Sequence, residues 1–249
     1  MSGQAVRRAM KTLAVVVVAI VGPLAAGEAA QPGRPRHPAA LGPATDVATL
    51  DQALHDPGVA VRLEAVWLLP SRTDIAVSQR ASMLLGALDR ELAAPTSEPP
   101  IAGSFLSAST TVRLGIAQTL GTLDPQVVSL LRQEIAGRTG AAREWVILAA
   151  GFAHSTDVAQ QLRDLLRGSA DGGVRATAAS LLGGMAIREA IPDLQAALGD
   201  SYQVTFDIAD LGITSTVFPV REQAAAALEA LGVTVRRLKG GVFVTDGSS

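Results

Sequence analysis

The residues best suited to moving a proton or holding a metal near neutral pH are three histidines, His37, His55 and His154. A metal site on one helix face needs ligands a turn apart. None of the three forms an i, i+4 pair with another histidine or a glutamate. Cysteine is absent, which removes thiolate nucleophiles, thiolate metal ligands, disulfides and a lipid-modified N-terminal cysteine. The sequence contains no G-x-S-x-G elbow, no P-loop and no dinucleotide fingerprint. Gly172-Gly173 and Gly183-Gly184 read as turn glycines, not phosphate cradles. Carboxylates such as Glu134, Glu144, Asp164 and Asp193 are spread at the density of solvated helix faces. The expectation is a chain with no catalytic residue, no metal site and no cofactor.

The elements around these residues are set by a phrase built on one arginine. It reads VRLEAVWLL from Val61, VRLGIAQTLG from Val112, AREWVILAAG from Ala142, VRATAASLLG from Val174 and VREQAAAAL from Val220. Aligned on Arg62, Arg113, Arg143, Arg175 and Arg221, the apolar positions fall at offsets −1, +3, +4 and +7. Those offsets share one side of an α-helix, so each phrase predicts a helix with one buried stripe. Small residues recur at +3 and +4, where a neighbouring helix can come close. Gly121, Gly151 and Gly183 stand at +8, the expected left-handed helix ends. Trp67 and Trp145 fall inside phrases and are expected to pack there.

A second apolar series follows three of the phrases: Val127, Leu131 and Ile135; Val158, Leu162 and Leu166; Ala190, Leu194 and Leu198. The unit is therefore helix, tight turn, helix, with Asp124-Pro125 and Thr156 punctuating two of the second helices. Self-similarity of this kind predicts repeats that stack because none can bury its apolar face alone. Wider spacings between the outer arginines mark two insertions. One is a Pro- and Ser-rich stretch over 94–104 after a helix from about Asp74 to Leu92; the other covers about 201–218.

The phrase D-x-x-V-R-x-x-A-x-x-A-L-G with a leucine-rich second helix resembles the HEAT repeat, in particular the bacterial HEAT-like repeats related to those of phycobilisome lyases. The resemblance spans roughly residues 45–232. It implies an all-α superhelix, an α-solenoid of about five repeats, whose second helices line a concave binding face. It also implies an aspartate–arginine ladder through the inter-repeat turns. Here Asp56 precedes Arg62 by the expected six residues, but the equivalent positions in the next three copies are Ser107, Gly137 and Ser169. The other arginines are expected to meet turn carbonyls or acids such as Asp171 and Asp200, in a structural role.

At the ends the composition changes. Residues 1–27 read as a cleavable signal peptide, with Arg7, Arg8 and Lys11 before an apolar stretch and small residues after it. The stretch from Leu13 to Ala26 falls short of the roughly 20 residues that span a bilayer, so no stable membrane span is expected after cleavage. The residues flanking Arg7-Arg8 do not match a twin-arginine signal, which leaves general secretion. A Pro-rich linker over 28–44 follows. Cleavage lowers Lys+Arg from 21 to 18 against 23 Asp+Glu, a net of −5, which argues against nucleic acid as a partner.

Near the C-terminus, Tyr202, Val204, Phe206 and Ile208 alternate with polar residues, the period of a strand. Ile213 to Phe218 is a second β-prone run, and in the tail 233–249 the runs from Val233 to Lys239 and Val242 to Thr245 flank Gly240-Gly241, which reads as another hairpin. The two segments are expected to pair as one small β-structure capping the repeat array. The reading is an exported protein, periplasmic or extracellular, that acts as a non-enzymatic scaffold binding another protein. Candidate contact residues on the second helices are Ser129, Arg132, Gln133, Gln160, Arg163, Asp164, Arg167 and Gln195. The alternative implied by the resemblance is a bilin-lyase-like enzyme or a chaperone for a chromophore-bearing protein; export disfavours it.

Overall fold

The computed structural model describes residues 41–93, 108–208 and 213–245. The stretch 1–27 that reads as a signal peptide, most of the linker 28–44 and all of the insertion 94–104 lie outside the described residues. At its near end the linker is not extended: Gly42 and Thr45 close a turn, with Thr45 N donating to Gly42 O at 2.9 Å.

Helix α1, Val47–Leu54, starts where the Asp46 carboxylate accepts from Thr49 N at 2.9 Å, satisfying one of the orphan donors of a helix start. Nine more helices follow among the described residues: α2 Val59–Leu68, α3 Val77–Ala93, α4 Ala108–Thr122, α5 Val127–Gly137, α6 Gly140–Phe152, α7 Ala159–Gly168, α8 Gly172–Gly184, α9 Ile191–Ala197 and α10 Pro219–Ala230. The fold is all-α, with two small β-hairpins near the C-terminus.

The five arginine phrases form α2, α4, α6, α8 and α10. Their stripes are the core: Ala65, Val66, Ile116, Ala117, Val146, Ile147, Ala178, Ala179, Ala224 and Ala225 at offsets +3 and +4 are all buried. Leu69, Leu120, Ala150, Leu182 and Leu228 at +7 are buried too. Each phrase helix packs on the next, α2 on α4, α4 on α6, α6 on α8 and α8 on α10. The intervening helices α1, α3, α5, α7 and α9 each pack on the phrase helix that follows them. The second apolar series from Val127 to Leu198 is buried as its spacing requires. Trp145 is buried, whereas Trp67 is 37% exposed and lies outside the stripe at offset +5.

The glycines at +8 do not end helices in the left-handed conformation. Gly121, Gly151 and Gly183 lie inside α4, α6 and α8, where they remove a side chain from a helix contact. A Cβ on Gly183 would stand 2.5 Å from Ala227 Cα of α10; one on Gly121 would meet Phe152 Cβ of α6 at 2.5 Å. Gly172-Gly173 and Gly183-Gly184 likewise open and close α8 and are not turns between elements. In the last three copies the left-handed residue stands at offset +11: His154 (φ 54°), Ala186 (φ 56°) and Gly232 (φ 85°). At Ala186 the hydrogen bonds Ile187 N to Leu182 O and Ala186 N to Gly183 O form a Schellman ending; the same pattern closes α6 at His154. A non-glycine residue pays a steric penalty there. Replacing Ala186 with glycine is expected to raise stability by about 1 kcal/mol, seen as a higher urea midpoint at unchanged slope.

The two β-segments do not form one sheet. Strand β1, Val204–Ile208, pairs antiparallel with β2, Ile213–Val217; β3, Val235–Arg237, pairs antiparallel with β4, Phe243–Thr245. These are separate two-stranded sheets. Each strand finds a partner a few residues away, at a smaller loop-closure cost than pairing across α10. The tail nevertheless returns to the start of α10. Arg221 Nη1 donates to Gly241 O at 3.0 Å, and the ring of Phe218 fills the space beside Gly241.

Candidate functional site

The phrase arginines are structural clamps, and their partners are mainly backbone carbonyls. Arg62 Nη1 donates to Asp56 O and Pro57 O, both at 2.9 Å, and Arg62 Nε lies 2.6 Å from Glu91 Oε1. The Asp56 carboxylate caps Gly58 N instead of meeting the arginine, so the side-chain ladder that the resemblance implies does not form at that position. Arg113 donates twice to Glu91 O, at 3.2 and 2.8 Å. Arg175 donates to Ser169 O and, through Nε and Nη2, to the Asp200 carboxylate at 2.8 and 3.0 Å. Arg221 Nε donates to Asp200 O at 2.5 Å while its guanidinium sits 4.2 Å from the Phe218 ring centre. Asp171, expected as an arginine partner, instead caps α8 by accepting from Gly173 N and Val174 N.

Asp200 thus joins the fourth and fifth phrases. Burial opposes its ionisation, but hydrogen bonds from Arg175 and from Tyr202 N outweigh that and hold its pKa below the usual aspartate value. A carboxylate with a depressed folded pKa adds stability above its unfolded pKa and loses it as pH falls through the folded one. Asp200→Asn is expected to cost about 1.5–3 kcal/mol at neutral pH. The deficit should shrink in acid, which denaturation of both proteins across pH 2–7 would detect.

The eight candidate contact residues divide into three groups. Gln160, Arg163, Asp164 and Arg167 lie together on α7 and form one network with Asp193 of α9. Arg163 Nε donates to Asp193 at 2.6 Å, Gln160 Nε2 to Asp164 at 2.9 Å, and Arg167 pairs with both carboxylates. Arg132 of α5 pairs with Asp157 in the 3-10 turn before α7. Ser129, Gln133 and Gln195 are exposed and join neither cluster among the described residues. Ser129 Oγ donates only to Gln126 O of its own helix turn, at 2.9 Å.

Sequence reasoning missed the acidic halves of these pairs. Arg138, which follows α5, bonds to Asp89 of α3 and to Glu134; Arg132 reaches Asp157; Arg163 reaches Asp193. An arginine–aspartate ladder therefore exists, but it joins successive intervening helices, not the phrase helices. The available signal was an aspartate at each helix start, Asp157 and Asp193, where a carboxylate also suits the helix dipole.

An open cleft of about 330 Å³ lies between α5, α6 and the turn into α7, lined in part by Arg132, Arg143, Asp157 and Gln161. A second hollow, of about 570 Å³, lies between the end of α9, Arg221 of α10 and strand β4. Among the described residues no group of three His, Cys, Asp or Glu side chains could hold a metal ion, and no helix is long and apolar enough to cross a membrane. Compared with known proteins, the chain matches no family model and no curated sequence.

Proposed function

We propose that the chain is an exported, non-enzymatic scaffold: an α-solenoid of about five HEAT-like repeats that docks another protein along the face of α5, α7 and α9. The observation that carries the reading is the repeated contact between consecutive phrase helices, made close by Gly121, Gly151 and Gly183. A chain of nearest-neighbour contacts of this kind is how repeat arrays build extended binding surfaces. The polar side chains of α5, α7 and α9 are the docking surface. Arg132, Arg163 and Arg167 are partly engaged by Asp157 and Asp193, which holds them in place before a partner arrives. The exposed Ser129, Gln133 and Gln195 supply the remaining contacts.

The test is photo-crosslinking in the native envelope. A crosslinking residue placed at Gln133, Gln160 or Gln195 should capture one and the same protein, with the chain recovered lacking residues 1–27. The same residue at Glu64, exposed on the phrase helix α2, should not capture it. Capture from Glu64 alone, or bilin turnover by the purified chain, would replace this reading.

A further inference from the structure

In a two-stranded hairpin, directly opposed side chains share a face and successive ones alternate between faces. The register of β3 with β4 therefore puts Val235, Thr245, Arg237 and Phe243 on one face, and that face is turned toward α10. Val235 and Phe243 are buried, and Arg237 Nη1 bonds to Glu229 of α10 at 2.6 Å, with Glu222 Oε2 3.8 Å from its Nε. The opposite face carries Arg236, Leu238, Val242 and Val244 and looks outward. Leu238 and Val242 stand opposite each other at its tip, joined by the hydrogen bond from Leu238 N to Val242 O at 2.8 Å. They are 51% and 46% exposed, the most exposed large apolar side chains among the described residues. The solvent-facing side of an antiparallel pair is ordinarily polar, so adjacent bare apolar side chains there mark a contact. Beside them lie two exposed cations, Arg236 and, in the turn, Lys239. Gly240 and Gly241 close the turn with no side chain to stand between the tip and a surface. Glu222 and Glu229 face Arg237 on the inward side, and the next acid in the sequence after Val242 is Asp246, four residues on.

We propose that the β3–β4 tip docks on an anionic lipid bilayer. Leu238 and Val242 enter the boundary between headgroups and acyl chains, while Arg236 and Lys239 meet the lipid phosphates. The size of the patch decides between a bilayer and a protein. Two side chains and a glycine turn fall far short of the roughly 800 Å² per partner that a specific protein interface buries. A bilayer sets no such minimum, because apolar burial and the attraction of cations to anionic headgroups add residue by residue. The chain's excess of acids, 23 against 21 basic residues, does not prevent this. At physiological ionic strength, exposed charges more than about 8 Å from the lipid are largely screened, and the cations at the tip are the nearest ones. Contact of this kind is reversible and needs no spanning helix. It is separate from the docking face on α5, α7 and α9, so either can fail without the other.

The experiment is vesicle co-sedimentation of the chain from residue 28 onward, without the apolar stretch 13–26 that would itself enter lipid. The buried core among the described residues runs from Leu50 to Phe243, so this chain keeps all of it. Phosphatidylglycerol vesicles should bind it at low salt, with a dissociation constant on the order of 1 mM in accessible lipid. Phosphatidylcholine vesicles should not bind it, and high salt should release it. Lys239→Glu should weaken binding at least tenfold, and so should Leu238→Ser combined with Val242→Ser. Melting should stay unchanged, because these side chains are exposed. The chain has no cysteine, so Leu238→Cys accepts a single nitroxide label. On the vesicles that label should become more accessible to dissolved oxygen and less accessible to an aqueous nickel chelate. The same label at Glu64→Cys, exposed on α2, should not change. Absence of binding, binding that survives both sets of variants, or a label at 238 that stays in water overturns the proposal. Loss of the envelope crosslinks in the double serine variant, with no vesicle binding by the wild-type chain, overturns it in favour of a protein partner.

Discussion

Replacing Gly183 with alanine is expected to destabilise the protein by about 1–3 kcal/mol, while the same change at Gly184 is neutral or stabilising by up to about 1 kcal/mol. The two glycines are adjacent on α8, and their surroundings differ completely. A methyl on Gly183 would lie 2.5 Å from Ala227 Cα and 2.6 Å from Ala227 Cβ. Neither atom is the end of a flexible side chain, so relief requires α10 to move away from α8. That motion would disturb the packing around Ala224, Ala225 and Leu228, all buried on α10. Nothing lies within 4 Å of a methyl on Gly184. There the replacement acts mainly on the unfolded chain, which loses conformational freedom. Urea denaturation of both variants beside the wild type decides the matter. Equal midpoints would show that α8 and α10 can separate without loss, and the close-contact account of the repeat would fall.

The contrast also shows which parts of the fold are readable in the amino-acid order. The buried stripe is, because the −1, +3, +4 and +7 offsets follow directly from helix geometry, and every copy obeys them except at Ala142, which is only partly buried. The glycines at +8 stand out in the sequence, but their duty does not. A glycine near a helix end fits both a left-handed cap and a close contact, and the choice depends on where the neighbouring helix lies. His154 and Ala186 gave no cue as left-handed residues, because their conformation is imposed by the Schellman hydrogen bonds and not by their own preference. Strand character in 204–208 is legible from alternation, and the hairpin of 235–237 with 243–245 from the turn at Gly240-Gly241; that the two hairpins stay separate is not, because it depends on where α10 sets them. The candidate contact residues lie on α5, α7 and α9, the second helices of the units. Their pairing with Asp157 and Asp193 was hidden, because it joins residues 25 and 30 positions apart whose approach the packing alone creates.

Leu182→Ala is expected to cost about 2–5 kcal/mol, against at most about 1 kcal/mol for Arg163→Ala. Leu182 sits at offset +7 of the fourth phrase, on α8, and none of its surface reaches solvent. Truncation there removes buried methyl groups and leaves a cavity in a helix that packs on α6, α7 and α10. Three neighbours limit how far the site can collapse, which favours the upper part of the range. Arg163 lies beside the stripe Val158, Leu162 and Leu166, and not within it. Its guanidinium bonds to Asp193 at 2.6 Å, with 24% of the arginine side chain and 10% of the aspartate exposed. Loss of that bond leaves Asp193 with Arg167 at 3.4 Å, so the carboxylate keeps a cation and the penalty stays small. Thermal or urea unfolding of the two variants should therefore give well-separated midpoints. Comparable shifts would mean that position +7 is not core, and the alignment of the five arginine phrases would be wrong.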